Sequence, residues 1–433
     1  MRTQLHDPQS QTMLASCVTR LPSGGETGAY LSVDLGGSTA RVAFVQLHGH
    51  NKHTVRYRAA YPVDDATKCL SGRGFFLWLA RKVRLAVDHA VAQGWVAADY
   101  PDLVTGLSWS FPFQQKAINR GAICAMGKGY GVTDEIMGWD LAEALERAGR
   151  EAGVRVIVKA IVNDTTASLV ARAYNDPTTR MSLILGTGIN ACAMYALDML
   201  APGKLEGLTL EPDAFFSLVN TESSMVGAGI IPTTCWDDEI DRCNERPGYQ
   251  PLEQKVSGRY IGELARLIMH ELVGAGLLCG GVMPQHLDTA YGFKASVMSD
   301  MEEHATNGRL DLAREVFLRA NPLDASELTD QDVRTIVSII TAVSTRAAAL
   351  TAATLVALAT LLPEEKTDAA AECTIAYDGT VIEKYPNFRR RCQDYLDALG
   401  LPRGRKLTLK PANDSSLLGP AITAAMYAHK DDE

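Results

Sequence analysis

Two glycine-bearing turns carry residue types suited to holding phosphate. The first is Asp34-Leu35-Gly36-Gly37-Ser38-Thr39, followed by Arg41; the second is Gly186-Thr187-Gly188, which ends an apolar run over residues 182–185. Where no Cβ intervenes, backbone N–H groups approach a phosphate closely. The turns lie about 150 residues apart, so together they point to a nucleotide gripped between two separate blocks of chain. Further polar clusters follow in order: Ser110-Phe111-Pro112, Lys128-Gly129, Asn163-Asp164-Thr165-Thr166, Asn190, Asn220-Thr221-Glu222, Glu253 and Ser257-Gly258-Arg259-Tyr260. Each alone has a plain structural explanation. Glycine pairs make hairpin turns, Asn163 suits a strand-end cap, and Glu222 and Glu253 read as solvated charges. Two other glycine stretches carry no nucleotide motif. In residues 121–128 the glycine spacing is one too long for a phosphate loop, and Gly129 stands where a magnesium-binding hydroxyl belongs. Gly186-Thr187-Gly188-Ile189-Asn190-Ala191 is followed by a strand pattern rather than the helix a dinucleotide fold needs.

The elements that must position these residues alternate between strand and helix. The first ordered element is expected at Tyr30: residues 30–34 form a strand, the glycines turn the chain, and residues 41–47 return as its partner. Helical spacing over residues 75–93 ends at Gly94, a C-terminal cap. Strands are expected at 103–110, 154–162, 182–185 and 374–376, the last leading into Tyr377-Asp378-Gly379. A helix starting after Gly258 places Tyr260, Leu264, Leu267, Ile268 and Leu272 on one face. Residues 296–330 read as a polar surface excursion, Trp236-Asp237-Asp238-Glu239 as a solvated loop, and 332–362 as a long helix. Gly419-Pro420 is expected to open the last helix. No fixed-period repeat appears. This alternation is that of a two-lobed α/β protein.

Length and composition agree with two lobes. The chain has 433 residues, 46% hydrophobic and 21% charged, as in ordinary globular proteins. A net charge of −9 leaves no basic footprint for nucleic acid or anionic membrane. Nine cysteines, without a CxxC pair, argue against a disulfide framework or zinc site and for a reducing compartment. The apolar run over 347–362 is short for a membrane span and rich in Ala and Thr, so a buried helix is expected. Cys192 reads as a small buried thiol. Residues 1–27 lack the apolar core of a signal peptide, and a cytoplasmic location is expected.

In this order and spacing, the clusters resemble the hexokinases from about Tyr30 to the C-terminal helix. The resemblance implies an actin-like, ribonuclease-H-like ATPase clamp: residues 1–27 a tail, 28–160 a small lobe joined by the helix 420–433, and 161–419 a large lobe. It implies that Asp164 is the catalytic base, and that Ser110, Lys128, Asn163, Asp164, Asn190, Glu222 and Glu253 contact the sugar. Asp34, Gly36, Gly37, Ser38, Thr39, Arg41, Gly186, Thr187 and Gly188 would grip the ATP phosphates. Asp378, Gly379, Ser415, Ser416 and Gly419 would lie at turns near the adenosine. Mg²⁺ would arrive with ATP, with no dedicated protein ligands.

Several positions depart from the glucose-type pattern. Ser38-Thr39 replaces Thr-Asn, Gly127 replaces the Thr before the sugar-contacting lysine, and Ser223-Ser224 replaces an aromatic residue and glycine. With Trp109-Ser110-Phe111-Pro112, Gly188-Ile189-Asn190, Ser257-Gly258-Arg259-Tyr260 and 413–419, these resemble the fungal N-acetylglucosamine kinases. Smaller side chains at 127, 223 and 224 would make room for a 2-acetamido group. The expected activity is therefore phosphorylation of the N-acetylglucosamine 6-hydroxyl. The alternatives are a glucose-preferring or broad hexokinase, or a sugar sensor with little catalysis.

Overall fold

The computed structural model describes residues 1–124, 126, 129–131, 133–363, 372–401 and 404–428. The strands are β1 Leu14–Ala15, β2 Thr27–Leu35, β3 Thr39–Gly49, β4 Lys52–Pro62, β5 Leu103–Trp109, β6 Phe113–Ala117 and β7 Arg120–Ile123. They continue as β8 Val156–Val162, β9 Thr179–Leu185, β10 Ile189–Ala196, β11 Phe216–Asn220, β12 Glu372–Asp378 and β13 Lys406–Pro411. Among the described residues they form a five-stranded sheet ordered β4-β3-β2-β5-β8, a six-stranded sheet ordered β1-β11-β10-β9-β12-β13, and the hairpin β6-β7. Apart from β1, the two large sheets share one plan. Three antiparallel strands form a meander, and two parallel strands follow on the side of the first. Parallel neighbours need crossover connections, and helices provide them: Gly72–Ala92 before β5, Leu141–Ala152 before β8, and Phe388–Leu399 before β13. A third helix leaves each sheet, Asp164–Ala173 after β8 and Ser415–Tyr427 after β13.

Strand periodicity sorts the cores. Leu31, Val33 and Leu35 of β2, with Val42 and Phe44 of β3, face the small-lobe core, whereas Tyr30, Ala43, Val45 and Leu47 face a seam between the lobes. On β8 the alternation slips, Val158 and Ile161 facing one side and Ala160 and Val162 the other. The register against β5 shifts there, Thr105 opposite Val158 and Gly106 opposite Ala160, so Lys159 is the extra residue of a bulge. The seam is closed by the two third helices, which pack on each other, Ser415–Tyr427 against the small-lobe strands and Asp164–Ala173 against β9, β10 and β12.

Three expectations away from the C-terminus need correction. Residues 1–27 are not a loose tail: Arg2–Leu5 is helical, Leu5 and Met13 are fully buried in the large-lobe core, and β1 pairs with β11. Residues 296–330 contain the helices Ala295–Thr306 and Leu310–Ala320, which bury Met298, Met301, Ala313 and Phe317. Their charges conceal a narrow apolar stripe, and Glu302 goes inward because Arg391, Tyr385 and Ser344 meet its carboxylate. Trp236-Asp237-Asp238-Glu239 belongs to the helix Cys235–Arg242, where Asp237 completes a capping box with Thr234 and pairs with Arg346.

Other readings agree with the structure. The long helix runs Asp330–Ala359, is long and apolar enough to cross a membrane by length and composition, and here buries Val333, Ile336, Ile340, Ala347, Leu355 and Leu358 in the large-lobe core. Gly94 follows its helix at φ 69°. All nine cysteines are unbridged, and burial pushes the Cys192 thiol up to about 12.

The last helix starts at Ser415, so Pro420 lies inside it. Its neighbour Gly419 touches the Ala167 backbone so closely that a Cβ would overlap it, and a Cβ on Gly106 would overlap the Pro420 carbonyl. Backbone cannot yield as a flexible side chain does. Gly419→Ala should therefore destabilise the protein by about 3 kcal/mol, measured as a lower urea midpoint with both lobes affected together.

Candidate active site

The site forms where strand ends converge. The chain leaves β2, β5 and β8 on one edge of the small-lobe sheet, because these strands are parallel to one another. That edge gathers Asp34 and the 36–38 turn, Ser110, and Asn163 with Asp164. The corresponding edge of the large sheet gathers the 186–188 turn after β9, Asp378 and Gly379 after β12, and Ser415 after β13. Open α/β sheets bind ligands outside such carboxyl-terminal edges.

Local bonding sets each group. Gly36 N–H donates to the Thr39 carbonyl (3.0 Å) across the first turn, the Ser38 carbonyl accepts from Val63 N–H (2.9 Å), and Ser110 N–H donates to the Leu35 carbonyl (3.1 Å). Arg41 Nη1 donates to Asp34 Oδ2 at 2.8 Å. Asp34 is 2% exposed, and burial raises its pKa despite Arg41. These two expected phosphate contacts are thus paired with each other. In the large lobe Gly186 N–H donates to the Gly188 carbonyl (2.9 Å), leaving Thr187 exposed at the tip. A Cβ on Gly188 would come 2.5 Å from Glu253 Oε2, and one on Gly379 (φ 114°) would meet the Leu185 carbonyl oxygen.

Asp164 is the first residue of its helix, with Thr165 N–H donating to its Oδ1 at 2.8 Å. Asn163 caps the same helix: its Oδ1 accepts from Thr165 N–H (3.0 Å) and Thr165 Oγ1 (2.7 Å). The capping explanation for Asn163 therefore holds for its oxygen. The solvated-charge explanation fails for the two glutamates. Glu253 Oε2 accepts from Ile189 N–H at 3.0 Å. Glu222 Oε1 accepts from Asn220 Nδ2 (2.7 Å), and Asn220 Oδ1 accepts from Asn190 Nδ2 (2.8 Å). Asn190 Oδ1 in turn accepts from Ala191 N–H (2.7 Å) and Ser223 N–H (3.3 Å). Burial raises the Glu222 pKa; the Asn220 bond opposes this, and the charges of Asp164 and Glu253 add to the rise. Asp164 likewise pushes Asp34 up, so four carboxylates share one cleft.

Some expected residues lie elsewhere. Ser415 and Gly419 sit in a helix, not a turn, and are buried: Ser415 Oγ donates to Asp378 Oδ2 and accepts from Ser168 Oγ. Ser416 is half-buried in the first turn of that helix. Lys128 and Gly127 lie outside the described residues. Ser223 and Ser224 are 0% and 2% exposed, so neither side chain lines the solvent-open part of the cleft.

Two features escaped the sequence reading. Asn220 is the link between Asn190 and Glu222; its place two residues before Glu222, as the last residue of β11, was the available signal. Beyond the 186–188 turn lies a cavity of about 430 Å³ lined by Gly258, Arg259, Tyr291 and Lys294 among others. Arg259 lies over the rings of Tyr260 and Tyr291 (5.4 and 5.9 Å) and pairs with Glu245 at 3.1 Å. Its wall comes from a segment that only packing brings near.

Two family profiles, each described as hexokinase, match residues 1–174 and 180–426. The chain belongs to the hexokinase family. It is 31% identical to hexokinase-2 of Candida albicans over 425 residues, covering 96% of this chain and 84% of that one. It is 30% identical to a glucokinase of Aspergillus niger over 458 residues, covering 97% and 90%. The structure of a Schistosoma mansoni hexokinase complexed with glucose superposes with a TM-score of 0.81 at 27% identity, covering 98% of this chain and 92% of that one. The chain is a phosphotransferase with an alcohol acceptor, on a mixed α/β two-lobed fold.

A raised Glu222 pKa has a definite consequence. The folded protein holds that proton more tightly than the unfolded chain, so Glu222 opposes folding above its folded pKa and the cost is relieved as pH falls through it. Sugar binding that uses the carboxylate should follow the opposite course. It is lost on acidification at a pH above the ordinary glutamate value of 4.5, and Glu222→Gln should remove that acid limb from a pH series of sugar Kd.

Proposed function

We propose that this hexokinase-family chain transfers the γ-phosphate of ATP to the 6-hydroxyl of a hexose, glucose in first place, with Asp164 as general base. The observation that carries the reading is that Asp164 lies close enough to Asp34, beside the 36–38 turn, and to Glu222, at the end of the Asn190-Asn220 network, for its charge to raise the pKa of both. The names of the relatives, hexokinases and a glucokinase, support glucose.

As the sugar oxygen bonds to the γ-phosphorus, its proton passes to the Asp164 carboxylate and the bond from phosphorus to the ADP oxygen breaks. Such a base contributes about 10²–10⁴-fold. Positioning and charge stabilisation supply the rest, since phosphoryl transfer needs little covalent help. Glu222 and Glu253 accept hydrogen bonds from sugar hydroxyls, and Asn190 orients the same segment. Among the described residues no group of three or more His, Cys, Asp or Glu side chains is disposed to hold a metal. Mg²⁺ would arrive on ATP, held by phosphates and water, where it would neutralise phosphate charge.

N-acetylglucosamine is the second reading, favoured by Ser38-Thr39, Gly127 and Ser223-Ser224. The burial of both serines weakens the volume argument, so it stands behind glucose.

The decisive assay is ADP release with Mg-ATP across parallel series of glucose and N-acetylglucosamine. A higher kcat/KM for glucose is expected. The reverse preference would move the amino sugar to first place, and sugar binding without ADP would favour a sensor. Asp164→Ala should keep sugar affinity while turnover falls about 10²–10⁴-fold; near-normal turnover would remove Asp164 from the role of base.

A further inference from the structure

The segment over residues 1–18 lies on the large lobe, on the far side of β11 from β10. Its contacts converge on the chain that carries Glu222. Leu14 and Ala15 pair with Asn220 and Val219. Ser16 N–H donates to Ser217 Oγ (3.0 Å), Ser16 Oγ donates to the Leu218 carbonyl (2.6 Å), and Ser217 Oγ donates back to the Ser16 carbonyl (2.7 Å). Beyond the strand pair, Met13 N–H donates to the Thr221 carbonyl at 3.1 Å.

Thr221 is fully buried and held from both sides. Its N–H and its Oγ1 both donate to the Ala191 carbonyl at 2.9 Å, while its own carbonyl accepts from Met13. The next residue, Glu222, turns into the left-handed region at φ 47° to present its carboxylate. A non-glycine residue holds that conformation only when its surroundings impose it. On one side the surroundings are β10; on the other they are the 1–18 segment.

The segment is itself clamped. Lys204 Nζ donates to the carbonyls of Ser10 (3.1 Å) and Thr12 (2.7 Å), directly before Met13. Ala201 N–H donates to the Leu5 carbonyl at 2.9 Å, and Leu5 and Met13 are fully buried. Lys204 lies on the short helix Pro202–Leu205, and its hydrogen bonds go to the segment's own carbonyls.

We propose that residues 1–18 form an intramolecular strap that positions the sugar-contacting Glu222 through Met13 and Thr221, with Lys204 as the positioning residue that fastens it. The inference rests on Glu222 as a sugar contact. By linkage, a strap that improves sugar binding must itself be tightened by sugar. The strap therefore couples the order of the N-terminal segment to occupancy of the sugar site, and not to nucleotide alone.

The test is amide hydrogen exchange of the full-length protein with and without saturating glucose, read at residues 10–18, beside steady-state kinetics of Lys204→Ala and Lys204→Arg. Exchange at Met13, Leu14 and Ser16 should slow with sugar and stay unchanged with ADP alone. Lys204→Ala should raise KM for glucose about fivefold, the scale of one ordinary hydrogen bond passed on to the site, with KM for ATP and kcat little changed. Lys204→Arg should restore it. Unchanged exchange at 10–18 under saturating glucose, or equal rises in both KM values for Lys204→Ala, would overturn the strap. Glu222→Gln separates the two claims: if it binds glucose as the parent does, the reading of Glu222 fails; if it loses glucose while parent exchange at 10–18 ignores sugar, only the strap fails.

Discussion

Two helices that approach to backbone contact hold this structure together. Helix Asp164–Ala173 leaves the small-lobe sheet and helix Ser415–Tyr427 leaves the large one, and they meet where Gly419 lies against the Ala167 backbone. Gly106, in the middle of β5, allows the second helix to settle equally close on the other sheet. The crossing brings both sets of carboxyl-terminal strand ends to a common cleft. It also explains why the hydroxyls of Ser168 and Ser415 meet and why Asp378 is tied to them. A side chain at either glycine would push the helix off the backbone it lies against.

Within the cleft the governing physics is charge repulsion held in check. Asp164 acts through its charge on Asp34 and Glu222, Glu253 acts on Glu222, and burial drives Asp34 and Glu222 to take up protons. Arg41 compensates Asp34, the Thr165 and Ile189 amides hold Asp164 and Glu253, and Asn220 holds Glu222. Ionised carboxylates accept hydrogen bonds and donate none. A neutral ligand rich in hydroxyls suits such a wall, and an anion does not. On the proposed reading the phosphates would belong to the turns and the sugar to the carboxylates, with the acceptor hydroxyl near Asp164.

Much of this was legible beforehand because local chemistry marks it. The strand before Asp164 is an apolar run that ends in cap-forming residues, and both glycine turns interrupt β patterns. The chain after Gly188 reads as strand and is one. The failures share a cause. Glu302 and Asp237 are acidic residues in acidic stretches, and composition assigns them to water; each is buried because an arginine far along the chain, Arg391 or Arg346, comes to meet it. Residues 1–18 look like a polar tail because a two-residue strand has no periodicity to show, yet its edge pairing with β11 anchors it.

The sequence alone determined the alternation of strand and helix, the two glycine turns and the order of the polar clusters, since each depends on neighbours within a few residues. It could not show that the two sheets follow one plan, because strand order and helix crossing leave no fixed-period repeat in side-chain identity. Nor could it show that Asn220 links Asn190 to Glu222, or that Ser223 and Ser224 are enclosed. Those facts depend on contacts between segments tens to hundreds of residues apart, which form only when the apolar faces of strands and helices find their partners.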